Sequence, residues 1–135
     1  MGTWSEHFVV GIRSIDEQHK RLIEKIDELS AAMWAGQGRS KLAPLLKFLE
    51  GYVFEHFFAE ERIMRSHGYP KFEEHKRLHD QFKRELSALS QDLSATNNTS
   101  LLAIQVERQL SDWLVQHILG RDKEAAAFMT SKGAY

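Results

Sequence analysis

The sequence contains no cysteine, which excludes disulfide bonds, thiolate metal ligands and iron–sulfur clusters. It contains only two prolines, and so few prolines are compatible with long, uninterrupted helices. No apolar run approaches the ~20 residues that a transmembrane helix needs. The N-terminal stretch MGTWSEHFVV lacks the basic and apolar regions of a signal peptide. These absences predict a soluble, cytoplasmic protein.

Neither sign of charge dominates, because 18 Lys and Arg residues oppose 19 Asp and Glu residues and the net charge is −1. This balance offers no basic surface for nucleic acid and no polybasic patch for a membrane, so we expect neither partner. The length of 135 residues suits one domain spanning residues 1–135. The one unusual feature of the composition is its seven histidines.

Apolar residues recur at alternating steps of three and four in four segments, which is the period of an amphipathic helix. Breaks rich in Gly, Asn and Ser separate the segments at AGQGRS (35–40), SHGYP (66–70) and ATNNTS (95–100). Short loops between helices favour an all-α, up-down-up-down antiparallel four-helix bundle. The predicted elements are an N-terminal arm over about 1–13, helices over about 14–35, 40–66, 70–94 and 99–119, and a short C-terminal segment after 120.

Local signals predict how three of these helices begin. Ser14 and Glu17 have the spacing of a capping box, in which each side chain bonds to the other residue's backbone N–H. Pro44 is expected in the first turn of the second helix, and Pro70 at the start of the third. A proline is least harmful at those two places, because the first turn has no intrahelical partner for its N–H.

Polar residues interrupt the apolar stripes at one end of the predicted bundle. A core of leucine and phenylalanine should reject histidine and glutamate unless these find partners, since unpaired buried polar groups are costly. With a rise of about 1.5 Å per residue, the polar stripe positions converge within a turn or two of one another. The six residues are His19, His56, Glu60, His75, His79 and His117.

A seventh polar residue, Asp122, follows His117 in the segment HILGRD (117–122). Five residues on a regular helix leave two side chains about 140° apart. A π-bulge or a frayed helix end would bring them to the same side, and Gly120 is a plausible place for it. Asp122 is therefore predicted to join the cluster, which would then contain five histidines and two carboxylates.

Imidazoles and carboxylates without sulfur are typical ligands of iron, zinc, copper or manganese. Seven ligands are too many for one tetrahedral zinc, so two metals bridged by both carboxylates fit better. Five imidazole nitrogens and four carboxylate oxygens supply nine donors, and one oxygen atom shared by both metals raises the total to eleven. Two octahedral ions offer twelve positions, so one position would remain for a small molecule.

The order and spacing of these residues resemble the hemerythrin family, specifically its single-domain bacterial members. The family's pattern is a lone histidine followed by HxxxE, HxxxH and HxxxxD. It is present as His19, HFFAE (56–60), HKRLH (75–79) and HILGRD (117–122). A WxxxFxxGI approach over residues 4–12 and a GYP before the third helix extend the resemblance over nearly the whole chain.

The resemblance implies reversible dioxygen binding at a non-haem di-iron centre with a bridging oxo or hydroxo group. By the family's motif, His75, His79 and His117 would hold one iron, and His19 and His56 the other. Glu60 and Asp122 would bridge the two. Dioxygen would bind at the iron held by His19 and His56. The family's apolar ligand pocket would correspond here to Leu22, Phe57, Trp113 and Leu114.

A dry pocket of this kind admits a small apolar gas while limiting water and anions. None of the pocket positions carries a side chain that could serve as a general acid for cleaving the oxygen–oxygen bond. That favours binding, for oxygen storage, delivery or scavenging, over an enzymatic function.

Two other functions stay open. The first is oxygen or redox sensing, which would need an unknown protein partner or a longer chain, because the sequence contains no kinase, methyl-accepting or cyclase segment. The second is an enzyme that reduces peroxide or nitric oxide at the di-iron site. A ferritin-like site is excluded, because it requires two ExxH motifs and two further glutamates. His67 is expected to be a solvated helix-end residue, and His7 is unassigned.

Overall fold

The computed structural model describes residues 4–135, and four long antiparallel helices form its body. After a 3-10 turn (Glu6–Phe8), these are α1 (Arg13–Trp34), α2 (Gly38–Ser66), α3 (Phe72–Ala95) and α4 (Thr99–Gln116). A π-helical segment (His117–Asp122) and a final helix, α5 (Lys123–Ser131), complete the chain. The predicted all-α four-helix bundle is confirmed. The predicted arm covers residues 1–13, and its first three lie outside the described residues.

The buried apolar residues form two clusters of unequal size. The larger fills most of the bundle and includes Ile26, Leu49, Leu86 and Leu110. The smaller lies at one end, where α5 contributes Ala125, Ala126 and Met129 to residues from α1, α2 and the loop that follows α2. The polar stripe residues lie between the two clusters, because His19 follows Ile15 of the smaller cluster by one turn and precedes Leu22 of the larger.

The start of α1 differs from the prediction. Helix α1 begins at Arg13, and its N-terminal flanking residue, Ile12, makes no side-chain cap. Asp16 instead ties the arm to the first turn of α1, because its carboxylate accepts hydrogen bonds from the backbone N–H of Val10 at 2.7 Å and of Gly11 at 3.2 Å. The positive φ of 101° at Gly11 is open to glycine and lets the arm turn back over the first turn of the helix.

The two prolines also lie differently from the expectation. Helix α2 begins at Gly38, which places Pro44 one turn inside the helix rather than in its first turn. Pro70 precedes α3, which begins at Phe72, and the N–H of Phe72 donates to the carbonyl of Tyr69 at 3.2 Å. In both cases the helix begins at a different residue from the one predicted, and the order of the helices is as predicted.

No helix within residues 4–135 is both long enough and apolar enough to span a membrane. The segment after residue 120, predicted only as a short extension, forms the nine-residue helix α5. Three of its residues are buried, so α5 closes the end of the bundle below the polar layer.

Candidate metal centre

The seven residues predicted as metal ligands meet in one buried layer. They come from α1, α2, α3 and the π-helical segment, and none exposes more than 5% of its surface. Glutamate, aspartate and histidine are rarely buried this deeply without partners. The residues are His19, His56, Glu60, His75, His79, His117 and Asp122.

The layer divides into two groups of potential metal ligands that share both carboxylates. One group combines Glu60 and Asp122 with three histidines, His75, His79 and His117. The other combines the same carboxylates with two, His19 and His56. Within each group, one ligand atom per residue lies within 4.8 Å of the others. We call these the three-histidine group and the two-histidine group.

Glu60 directs one carboxylate oxygen toward each group. Its Oε1 lies 2.7 Å from Nε2 of His75 and 3.5 Å from Nε2 of His79. Its Oε2 lies 3.2 Å from Nε2 of His56 and 3.8 Å from Nε2 of His19. A carboxylate that separates its two oxygens in this way has the orientation required to bridge two ions.

The two carboxylate oxygens of Asp122 also face different histidine groups. Its Oδ1 lies 3.0 Å from Nε2 of both His75 and His117. Its Oδ2 lies 3.0 Å from Nε2 of His19 in the two-histidine group. The two carboxylates therefore lie between the histidine groups as parallel bridges.

The π-helical segment brings Asp122 into this position. An i→i+5 hydrogen-bonding pattern places residues five apart nearly above one another, and residues 117–122 adopt it. The expected local widening of the helix is thereby confirmed. A Cβ atom added at Gly120 would meet no atom within 4 Å, so the π-helical turn does not depend on the small size of glycine.

Two ion pairs connect this part of the chain to the start of α3. Nη1 of Arg121 donates to Oε1 of Glu74 at 2.7 Å, and Lys71 pairs with Glu124. Both pairs are largely exposed, so solvent screens them and each contributes little to stability. They flank Asp122 on either side in sequence and so hold the segment against α3.

The polar atoms of the layer fit metal ions better than they fit each other. Among residues 4–135, both ring nitrogens of His19, Nε2 of His75 and all four carboxylate oxygens of Glu60 and Asp122 are buried without a well-aligned hydrogen bond. Each such atom costs ~1–3 kcal/mol. Nε2 of His79 lies 3.1 Å from Nε2 of His117. Nitrogens and oxygens that approach closely without pairing are the arrangement that a shared cation satisfies.

Carboxylates and imidazoles of the layer also shift one another's protonation. Burial lowers the pKa of His19 and His75, but the adjacent Asp122 and Glu60 outweigh it and raise each pKa to about 9. Burial dominates at His56, whose pKa is lowered. Burial would raise the pKa of Glu60, yet the surrounding imidazoles hold it well below its usual value. Metal binding must therefore displace protons from the histidines.

Two residues that the sequence analysis did not identify support the histidines from outside. Nδ1 of His56 donates to Oε1 of Gln18 at 2.7 Å, and Nδ1 of His79 donates to Oε2 of Glu61 at 2.7 Å. Such partners fix the tautomer that leaves Nε2 free for a metal. Their only sequence signal is adjacency, since Gln18 precedes His19 and Glu61 follows Glu60.

Aromatic rings cover two histidines of the three-histidine group. Phe57 stacks on His79 with ring centroids 3.8 Å apart, and Trp113 stacks on His117 at 4.3 Å. Phe82 stacks in turn on Trp113 at 4.0 Å. These rings exclude water from that side of the layer.

An apolar cavity of about 20 Å³ adjoins these rings inside the bundle. A space of ~10–15 Å³ is enough for one water-sized molecule. All four residues that the sequence analysis assigned to a ligand pocket are among its walls. The lining is Leu22, Ile26, Leu49, Val53, Phe57, Phe82, Leu110, Trp113 and Leu114.

The remaining two histidines lie outside the layer. His7 is exposed on the 3-10 turn. His67 follows the end of α2, where its Nδ1 donates to the carbonyl of Ile63 at 2.8 Å. That contact satisfies an end-of-helix carbonyl and fits the helix-end role predicted for His67.

The chain is similar to known proteins along most of its length. The family described as "Hemerythrin HHE cation binding domain" matches residues 10–128. A bacteriohemerythrin of Stenotrophomonas maltophilia (strain R551-3) is 32% identical over 123 residues, covering 91% of this chain and 78% of that protein. A bacteriohemerythrin of Methylococcus capsulatus (strain ATCC 33009 / NCIMB 11132 / Bath) is 32% identical over 124 residues, covering 90% and 91%. A myohemerythrin of Theromyzon tessulatum is 30% identical over 119 residues, covering 88% and 86%.

A solved structure shares the fold. The crystal structure of a hemerythrin mutant with a leucine-to-tyrosine substitution superposes with a TM-score of 0.80 at 28% identity. The superposition covers 96% of this chain and 98% of the other. The likeness therefore extends over the whole bundle.

Proposed function

The chain belongs to the hemerythrin family, and we propose that it binds dioxygen reversibly at a non-haem, carboxylate-bridged di-iron centre. The protein would serve in oxygen storage, delivery or scavenging and would not be an enzyme. We further propose that residues 1–135 are a single domain with a cytoplasmic location.

The observation that carries this proposal is the division of each bridging carboxylate between the two histidine groups. Oε1 and Oε2 of Glu60 face different groups, and so do Oδ1 and Oδ2 of Asp122. A single ion would not call for this arrangement, because its ligands would converge on one point. Two ions with a shared oxo or hydroxo group would use all seven residues.

The two groups differ by one histidine, which locates the binding position. The three-histidine group, with both carboxylates and the shared oxygen, would complete six-fold coordination. The two-histidine group would leave one position for dioxygen, beside His19 and His56. A pair of ferrous irons would supply the two electrons that reduce dioxygen on binding and would take them back on its release.

The residues around the proposed site support binding of dioxygen without cleavage of its oxygen–oxygen bond. Leu22 and Phe57, one turn from His19 and adjacent to His56, line the apolar cavity together with Trp113 and Leu114. None of the described residues that line the cavity has a titratable side chain, so the cavity offers no proton donor for breaking the oxygen–oxygen bond. The same walls keep water and anions away from the irons.

A visible spectrum of the iron-loaded protein tests the proposal. The protein would be reduced under argon, exposed to air and returned to argon, with iron per chain measured alongside. We expect an absorption band that appears with dioxygen and fades on its removal. Oxidation without a recoverable oxygenated form would contradict reversible binding and favour redox sensing or reduction of peroxide or nitric oxide. Turnover assays with those two substrates would then separate the alternatives.

A further inference from the structure

Nδ1 of His56 and Nδ1 of His79, the ring nitrogens that face away from the metal positions, each donate a hydrogen bond to another side chain. The two hydrogen bonds have the same length, but the two acceptors differ in charge. Both Nδ1···O distances are 2.7 Å. The partner of His56 is the neutral amide of Gln18, whereas the partner of His79 is the carboxylate of Glu61. Each bond also crosses between helices, from α1 to α2 for Gln18 and from α2 to α3 for Glu61.

We propose that this difference makes the two metal positions electronically unequal, with Glu61 as a positioning residue that increases the donor strength of His79. A carboxylate that accepts the outer N–H of an imidazole raises the basicity of the nitrogen bound to metal. The three-histidine position would therefore favour the ferric ion more strongly than the two-histidine position. Gln18 would orient His56 without adding charge. This inference rests on the di-iron function proposed above.

The surroundings of Glu61 direct its charge toward His79. The Glu61 side chain is 15% exposed and that of His79 is 0% exposed, so solvent screens their interaction weakly. Among the described residues, His79 is the one cationic or imidazole group within ion-pair distance of Glu61. Lys76, which also feels the charge of Glu61, pairs with Asp80 at 2.7 Å instead.

The two-histidine group has no comparable charge at its outer nitrogens. Nδ1 of His19 has no hydrogen-bonding partner among residues 4–135, and Gln18 contributes only an amide oxygen to His56. Both histidines of that group can thus be expected to remain ordinary neutral donors. The charged outer partner lies on the three-histidine side, so the two-histidine position is the one that more readily stays ferrous.

Two substitutions of nearly equal shape test the role of charge. Glu61→Gln keeps an oxygen acceptor for His79 and removes the charge, whereas Gln18→Glu adds a charge beside His56. Glu55→Gln is the matched control, because Glu55 is exposed on the same helix and borders His56 in sequence. The one-electron reduction potentials of the iron-loaded proteins and their rates of ferric iron loss to a chelator would be measured.

We expect Glu61→Gln to raise the reduction potential and Gln18→Glu to lower it, with Glu55→Gln unchanged. A tenfold change in the preference for ferric over ferrous iron corresponds to ~59 mV in a one-electron potential. Outer partners of metal-bound histidines typically change metal affinity ~10–100-fold, so Glu61→Gln should lose ferric iron at least ~10-fold faster.

An unchanged potential in Glu61→Gln would overturn the proposal, because the amide would then replace the carboxylate fully. If Glu61→Gln does not fold, Gln18→Glu tests the proposal in its place. A Gln18→Glu protein with the same reduction potential as the unmodified protein would also overturn the proposal. Failure of the unmodified chain to bind two irons would refute the proposed di-iron function instead, and does not depend on either variant.

Discussion

The far part of the bundle core and its metal end are built on the same helices with different side chains. On α3, Phe82, Leu86 and Leu89 continue the stripe that begins with His75 and His79, and all five residues are buried. The backbone period is the same in both regions. The far part is satisfied by apolar packing alone, whereas the polar layer leaves both nitrogens of His19, Nε2 of His75 and all four oxygens of its two carboxylates without aligned partners.

The difference shows that stability and function are separated along one stripe. A fully buried leucine or phenylalanine contributes ~1.5–3 kcal/mol, so the larger cluster can hold the helices together. A polar atom buried without an aligned partner costs ~1–3 kcal/mol, so the polar layer stabilises the helices less than the apolar clusters do until ions occupy it. The apolar clusters on both sides of the layer offset that cost and keep the ligand set in place.

The largest effect is expected where one residue serves both metal positions. Glu60→Ala removes oxygens that face His75 on one side and His56 on the other. We expect the variant to lose both ions rather than one, with helical content retained by circular dichroism. Iron per chain, measured by elemental analysis, checks this. Glu55→Ala is the matched control, and a Glu60→Ala protein that still holds two irons would exclude the bridging role.

The converse change is made in the apolar part of the α3 stripe. Leu86 is 2% exposed, and Leu86→Ala should lower the free energy of unfolding by ~2–5 kcal/mol through lost burial and a cavity. Iron per chain should stay unchanged, since Leu86 lies beyond Phe82 and away from the polar layer. Urea unfolding and elemental analysis measure the two effects. Loss of iron in the folded variant would mean that the two regions are not separable.

The pH dependence should differ between the metal-free and metal-loaded protein. The folded-state pKa values of His19 and His75 are about 9, above the ordinary value of about 6.5. Their contribution is therefore fully present below pH 6.5 and is lost as the pH rises through about 9. Metal-free protein should lose ~3 kcal/mol of unfolding free energy for each of the two histidines across that range.

Urea unfolding at pH 6 and at pH 9.5 measures this change. Zinc-loaded protein is the control, because bound metal already holds both imidazoles deprotonated and removes the slope. Metal-free protein that becomes more stable with rising pH would show that the carboxylates do not raise these pKa values.

The smallest effect is expected at Gly120, in the π-helical turn. A Cβ at this position would meet no atom within 4 Å, and alanine favours helical backbone over glycine by ~0.5–1 kcal/mol. Gly120→Ala should therefore keep both irons and unfold at a slightly higher temperature. Thermal unfolding with iron analysis tests this, and loss of iron would show that the π-helical turn requires glycine.

Much of the polar layer could be predicted from residues alone, because helix period and rise are local properties. The four stripes gave the helices, and the steps within them placed His19, His56, Glu60 and the HKRLH pair at one end of the bundle. The angle between His117 and Asp122 on a regular helix indicated the π-helical turn. The capping box predicted at Ser14 is wrong, because α1 begins one residue earlier, at Arg13, without a side-chain cap, and Asp16 binds N–H groups of the arm rather than of the helix.

The sequence by itself determined which side chains face the core and at what height along each helix. Only the tertiary structure decided which oxygen of Glu60 and Asp122 faces which histidine, and that Gln18 and Glu61 reach across to His56 and His79. It also decided that α5 closes the polar layer from below. These features depend on the distance and rotation between helices, which packing of the whole molecule sets and which no local pattern of residues encodes.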